Sequence, residues 1–147
     1  MDIFDKSILA LLQKNARMTA SEIGSTINLS VSAVSERLKK LESSGIISQY
    51  TTILNTEALH KSLTAIIFVS LDRPKYIDSF IEFVKSEDEI LECHYLAGDF
   101  DYALKILTES TSTLEKVLNK IKSVPGVHKT KTTITLSTVK NIYSIVP

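Results

Sequence analysis

Arg37-Leu38-Lys39-Lys40 sets three cations within four positions, behind the small side chains of Ser30, Ser32, Ala33 and Ser35. Residues of these types make and break no covalent bond. Long cations behind small side chains can instead hold phosphate oxygens while a backbone comes close to base edges. Overall charge gives this no help, since 17 Lys and Arg balance 17 Asp and Glu; nucleic-acid binding would have to come from the local patch. The residues that could do covalent chemistry are scattered. His60, His94 and His128 stand far apart and Cys93 is the one cysteine. No Ser-His-Asp order, paired carboxylates, phosphate loop or metal-ligand spacing is present. An enzyme, a metal site and a cofactor are therefore not expected. A single cysteine excludes an internal disulfide, and Cys93 is expected to be a small buried residue of a strand.

The elements that must position the cationic run are legible from local signals. Asp2 can cap a helix whose Phe4, Ile8, Leu11 and Leu12 share one face and which should end near Asn15 or Ala16. Thr19-Ala20-Ser21-Glu22 reads as a capping box that starts a second helix, with Ile23 and Ile27 facing inward. Asn28-Leu29 breaks it, and Ser30 caps a third helix whose Val31, Val34, Leu38 and Leu41 form an apolar stripe. Gly45 is placed to end that helix in a left-handed conformation, and Ile46 to Leu54 reads as extended chain. Three helices followed by a strand region make a winged helix-turn-helix. On the side of the third helix away from its stripe lie Ser32, Ala33, Glu36, Lys39 and Lys40, flanked by Ser35 and Arg37. This is the surface expected to meet a major groove, with Arg37, Lys39 and Lys40 on phosphates and the small residues and Glu36 nearest the bases.

From about Leu63 the period changes. Strands are expected over 63–71, 90–97, 102–108 and 127–137, and helices over 76–85 and 114–121, with Pro125-Gly126 as a turn. The order β-α-β-β-α-β is that of a ferredoxin-like domain, so the fold class is α+β. Residues 1–54 thus form the helix-turn-helix domain, 55–62 a short ordered connector and 63–147 the second domain. In the first strand Leu63, Ala65, Ile67, Val69 and Leu71 alternate with Thr64, Ile66, Phe68 and Ser70. The helices cover one face, so Ile66 and Phe68 fall on the other, where an antiparallel sheet normally shows water its polar side. Apolar surface there predicts self-association. No segment approaches the roughly 20 apolar residues of a membrane span, and the opening MDIFDKS lacks the character of a signal peptide. A cytoplasmic protein with no membrane partner is expected.

The run IFDKSILALLQKNARMTASEIGSTINLSVSAVSERLKKLESSGII resembles the N-terminal domain of the leucine-responsive and asparagine regulator family, the Lrp/AsnC group. LECHYLAGDFDYALKI is similar to that family's Gly-Asp-x-Asp-Tyr segment, and KSVPGVHKTKTTITL to its last helix, turn and closing strand. The resemblance spans essentially the whole chain. It implies a transcription regulator that binds double-stranded DNA, assembles as a homodimer or an octamer of four dimers, and binds an amino acid through its ferredoxin-like (RAM) domain. It further implies that the hairpin Tyr95, Leu96, Ala97, Gly98, Asp99, Phe100, Asp101 and Tyr102, with the closing strand around Thr132, Thr133 and Thr135, lines the effector site. Gly98 would free backbone amides for a carboxylate, and Asp99 or Asp101 would take an ammonium. The alternative for Gly98-Asp99 is simple hairpin turn chemistry.

Other functions on these residues are a tetrapyrrole (siroheme) decarboxylase-like enzyme, a metal-sensing repressor and an assembly protein that does not touch DNA. The first would want clustered histidines, and the second thiolates, which could be gathered only between subunits. The third is separated from a DNA reader by whether binding falls with salt.

Overall fold

The computed structural model describes residues 1–143 and 145–147. They form two compact units, Met1–Ile53 with Lys140–Pro147, and Leu54–Val139. In the first, Asp2 caps α1 (Ile3–Lys14), Thr19 caps α2 (Ala20–Ile27) and Ser30 caps α3 (Val31–Ser43). Each cap is a side-chain oxygen that accepts an otherwise unpaired amide of the first turn. At Thr19 the box is closed both ways, Glu22 accepting the Thr19 amide at 2.7 Å.

Ile8, Ile23 and Val34 are fully buried and Leu41 nearly so, one residue or more from each helix. Phe4, expected in that core, lies at its rim at 37% exposure. The turn between α2 and α3 closes through Asn28 in the left-handed region and the Leu29 amide on the Gly24 carbonyl. A Cβ on Gly24 would stand 2.5 Å from the Leu29 carbonyl oxygen. Gly24→Ala is therefore expected to destabilise by about 1–3 kcal/mol, offset in part by the ~1 kcal/mol that alanine gains in a helix. A thermal midpoint that stays put or rises would show that the turn has room after all.

After Gly45, at φ +74°, residues 46–54, expected to be extended chain, form no strand of a sheet. The segment is tied back instead by the Tyr50 hydroxyl, which donates to Glu42 of α3 at 2.9 Å. The C-terminal residues also return to this unit, where the Gln13 side-chain amide donates to the Ile145 carbonyl at 2.7 Å. The expected second domain of 63–147 thus differs from the observed unit in its last residues.

The second unit holds β1 (Leu63–Leu71), a 3-10 turn at Pro74–Tyr76, α4 (Ile77–Ser86), β2 (Ile90–Tyr95), β3 (Tyr102–Thr108), α5 (Thr111–Ser123) and β4 (Val127–Ile134). The strands form one antiparallel sheet in the order β2-β3-β1-β4. Ala65, Ile67 and Val69 face Ile106, Leu104 and Tyr102 across the central pair. They pack under Phe80 and Val84 of α4 and Val117 and Ile121 of α5, the core that the alternation of β1 foretold. The opposite face carries Ile66 and Phe68, both half-buried, beside Lys105 and Ala103 of β3 and Thr133 and Lys131 of β4.

Connector residues 55–62 form a compact turn rather than a free link. The Lys61 amide closes on the Thr56 carbonyl at 2.8 Å, and His60 adopts φ 58°.

Candidate DNA interface and effector surface

Ser30, the N-cap, accepts the Ala33 amide at 3.2 Å and lies 3.1 Å from the Ser32 hydroxyl. The two hydroxyls thus crown the first turn of α3. Beyond them Ser32, Glu36, Lys39 and Lys40 are exposed, with Ala33 and Ser35 half-buried, while Val34 and Leu41 point into the core. The outer face is therefore small at its N-terminal end and cationic at its C-terminal end. Lys39 and Lys40 have no ion pair among the described residues. Ammonium groups held on a helix and not neutralised within the chain are what a phosphate needs.

Arg37 is placed differently from the free phosphate anchor that its sequence neighbourhood suggested. Its Nη1 lies 2.7 Å from Asp5 and 2.8 and 2.9 Å from the two Asp2 oxygens. Its guanidinium also sits 5.4 Å from the Phe4 ring centre, which explains why Phe4 stays at the rim. The two aspartates meanwhile hold each other's amides in the capping box of α1. Those amide bonds and the arginine push both carboxyls below the ordinary range, and the carboxylates raise Arg37 in turn. A search for charges near in sequence misses this group, because Asp2 stands 35 residues from Arg37. The available signal was Asp2-x-x-Asp5 at a helix start.

In the second unit the hairpin residues are brought together at one end of β1, and the closing-strand threonines lie further along the same strand. Leu96 donates to the Asp101 carbonyl at 2.7 Å, and the Asp101 amide to Val69 at 3.0 Å. The Asp101 carboxylate accepts the Leu71 amide at 2.7 Å, so part of its capacity bolts the hairpin to β1. Ala97, Gly98 and Asp99 are exposed at the tip, Leu96 is half-buried, and Tyr95 is exposed with its ring 5.3 Å from Tyr102. Phe100 rests 5.6 Å from Phe68, and the Lys129 ammonium lies over it at 5.3 Å.

Thr132 pairs with Ile67, Thr133 with Ile66, and the Thr135 amide with the Thr64 carbonyl. The hairpin is held at Val69 as well as at Leu71, and Phe100 reaches Phe68, so at about 3.3 Å per residue Thr132 and Thr133, opposite Ile67 and Ile66, lie roughly 7–10 Å along β1 from its Val69 attachment. Arg73, which sequence reasoning passed over, lines a recess of about 120 Å³ with Asp72, Tyr95 and Asp101 at the hairpin root. Its Nε is 3.4 Å from Asp72, so the recess offers both signs of charge.

Glycine at 98 is not required by the chain itself. The space where its Cβ would stand is open, and no positive φ is present there, whereas Gly126 combines φ +87° with Tyr76 atoms 2.2 Å from such a Cβ. Cys93, expected to be buried, is exposed. It lies on β2 opposite Leu104 of β3, and β2 is an edge strand of the sheet. Glu92 beside it sits 2.8 Å from Lys105 and 3.1 Å from His94, which hold its carboxyl below the ordinary range. No group of three or more metal-ligating side chains occurs among the described residues. No described helix is long and apolar enough to cross a membrane.

Comparison with known proteins also divides the chain in two, with the second match running past the Val139 end of the second unit. Residues 1–48 match a winged helix-turn-helix DNA-binding family, and residues 64–145 the Lrp/AsnC ligand binding domain. The chain is 39% identical over 140 residues to the HTH-type transcriptional regulator FL11 of Pyrococcus abyssi, covering 95% of this chain and 92% of that protein. It is 36% identical over 143 residues to the leucine-responsive regulatory protein of Escherichia coli, covering 95% and 87%. Among solved structures, a Neisseria meningitidis transcriptional regulator in complex with L-Met superposes with a TM-score of 0.94 at 32% identity, covering 99% of this chain and 96% of that one. Escherichia coli AsnC superposes at 0.92 with 26% identity, covering 100% and 99%.

Proposed function

Because the chain belongs to the Lrp/AsnC family of DNA-binding transcription regulators, we propose that α3 is the element that reads DNA and that an amino acid bound to the second unit modulates the reading. Membership in this family makes the chain a regulator and not an enzyme. The observation that carries the DNA assignment is the exposed face of α3, small at Ser32 and Ala33 and cationic at Lys39 and Lys40. A homodimer would set two such helices in successive major grooves about 34–36 Å apart. Work on chromosomal DNA goes with a cytoplasmic location.

The effector reading has two supports. The first is Gly98, whose side-chain position is open although neither packing nor backbone calls for glycine; a bound molecule that approaches the hairpin backbone would call for it. The second is the related Neisseria regulator, which holds L-Met. The hairpin and Thr132, Thr133 and Thr135 are the proposed lining, and the apolar sheet face at Ile66 and Phe68 supports assembly from dimers toward an octamer. An effector shifts the equilibrium only if it binds one assembly state better than another.

Selection of genomic DNA by the purified protein, with and without each amino acid, tests the whole reading. It predicts an enriched motif whose affinity falls with salt and changes with one class of amino acid. Absence of any enriched motif would sink it. Gly98→Val is expected to change the unfolding free energy by no more than about 0.5 kcal/mol, as for a surface substitution, and to abolish the amino-acid response. A variant that still responds would remove Gly98 from the site.

A further inference from the structure

The charge that lies nearest the cationic face of α3 is the aspartate pair at the start of α1. Asp2 and Asp5 are 2.7–2.9 Å from Arg37, and a shallow depression beside them is bordered by Ala33, Glu36 and Lys40 of α3. If Arg37 left to hold a phosphate, it would leave two carboxylates without their cation beside the same DNA, and their repulsion would oppose the new phosphate bond. All three contacts run through the one Nη1, and the rigid guanidinium plane fixes where that nitrogen stands as a flexible ammonium does not. The Phe4 ring under it restricts its remaining freedom. The same two carboxylates form the capping box of α1, so Arg37 ties α3 to a helix end whose own geometry is fixed.

Building on the assignment of α3 as the reading helix, we propose that Arg37 is a positioning residue, which locks the rotation of α3 against the N-terminus of α1 and so aims Ser32, Ser35 and Glu36 at the bases. Arg37 lies one helical turn from both Ala33 and Lys40 on a common ridge, so a roll of the helix about its axis displaces all three together. A loosened Arg37 tie spoils the register of base contacts while leaving Lys39 and Lys40 able to meet phosphates. Specific binding suffers, and non-specific binding does not.

Two variants of the full-length protein separate this role from phosphate anchoring and from stability alone. In Asp2→Asn/Asp5→Asn both caps keep a residue type suited to a helix start, yet the ion pair is gone and two negative charges are removed near DNA. In Arg37→Gln the cation is lost. Affinity is measured by mobility shift for a selected operator and for scrambled duplex at several salt concentrations, alongside thermal unfolding. Both variants are expected to lower the ratio of operator to scrambled affinity by about tenfold or more, the scale of a lost base contact. The salt slope on scrambled DNA is expected to stay unchanged. A purely structural role would lower both affinities by the same folded fraction and leave the ratio intact, overturning the proposal. Tighter operator binding by the aspartate variant, or a slope reduced by about 0.9 in Arg37→Gln, would overturn it in favour of a phosphate anchor. Failure of the unmodified protein to bind any DNA would overturn the assignment of α3 as well, and is read before either variant is made.

Discussion

Lys39→Ala/Lys40→Ala is expected to weaken binding to every DNA sequence by roughly 60-fold at 0.1 M salt, and to flatten the dependence of log affinity on log salt by about 1.8. Each phosphate neutralised releases about 0.9 counterion, which at 0.1 M salt corresponds to about eightfold per contact. The helix itself should not suffer, because alanine is the better helix former and both ammonium groups are exposed with no ion pair among the described residues. Operator preference should persist, since neither side chain is the one assigned to base edges. The readout is a series of binding titrations from low to high salt on operator and scrambled duplex. A slope equal to that of the unmodified protein would move the phosphate contacts off this turn of α3.

Phe68→Asp is expected to break the assembly outright. Phe68 and Ile66 sit in the middle of the sheet face that α4 and α5 leave bare, with Lys105 on one neighbouring strand and Lys131 and Thr133 on the other. A second sheet packed on this face at about 10 Å would bury the new carboxylate in each protomer against its partner. Burying a charge costs several kcal/mol, of which Lys131, opposite on β4, would offset part, and each 1.4 kcal/mol that remains is about tenfold in dissociation constant. The monomer loses the Phe68–Phe100 ring contact, about 0.5–1.5 kcal/mol beyond the area buried, but keeps the core of Ala65, Ile67 and Val69. Light scattering at micromolar concentration should show a multiple of the chain mass for the unmodified protein and the monomer mass for the variant. Equal masses would show that the apolar face is not where copies meet.

What the sequence made legible was local. The box at Thr19 and Glu22, the Ser30 cap and the turn at Gly45 involve residues within a few positions of one another, and the chemistry of each fixes its conformation. The alternation along β1 foretold which face the helices cover, because side-chain direction in a strand has a strict period of two. Facts that depend on distant partners were not legible. Arg37 read as one of a basic cluster until Asp2 and Asp5 came to lie against it across the fold. Cys93 read as a buried residue because free cysteines usually are, whereas the order β2-β3-β1-β4 puts its strand at the edge. The hairpin and the closing-strand threonines read as one site on family grounds, and only the fold shows how far apart along β1 they attach, at Val69 and Leu71 for the hairpin and at Thr64 to Ile67 for the threonines. Ile46–Leu54 looked like a strand from its β-branched residues, but it finds no ladder partner and is held by Tyr50 instead.

The return of residues 140–147 to the first unit changes how the gene would be divided. The chain leaves that unit after Ile53 and re-enters it at Lys140, so the second unit is, in topological terms, a cassette spliced into the first. An exchange of the second unit between relatives thus has two natural junctions, 53/54 and 139/140. A fragment cut after Ile53 discards the stretch of backbone that Gln13 holds through Ile145, whereas a graft that respects both junctions carries the first unit across intact.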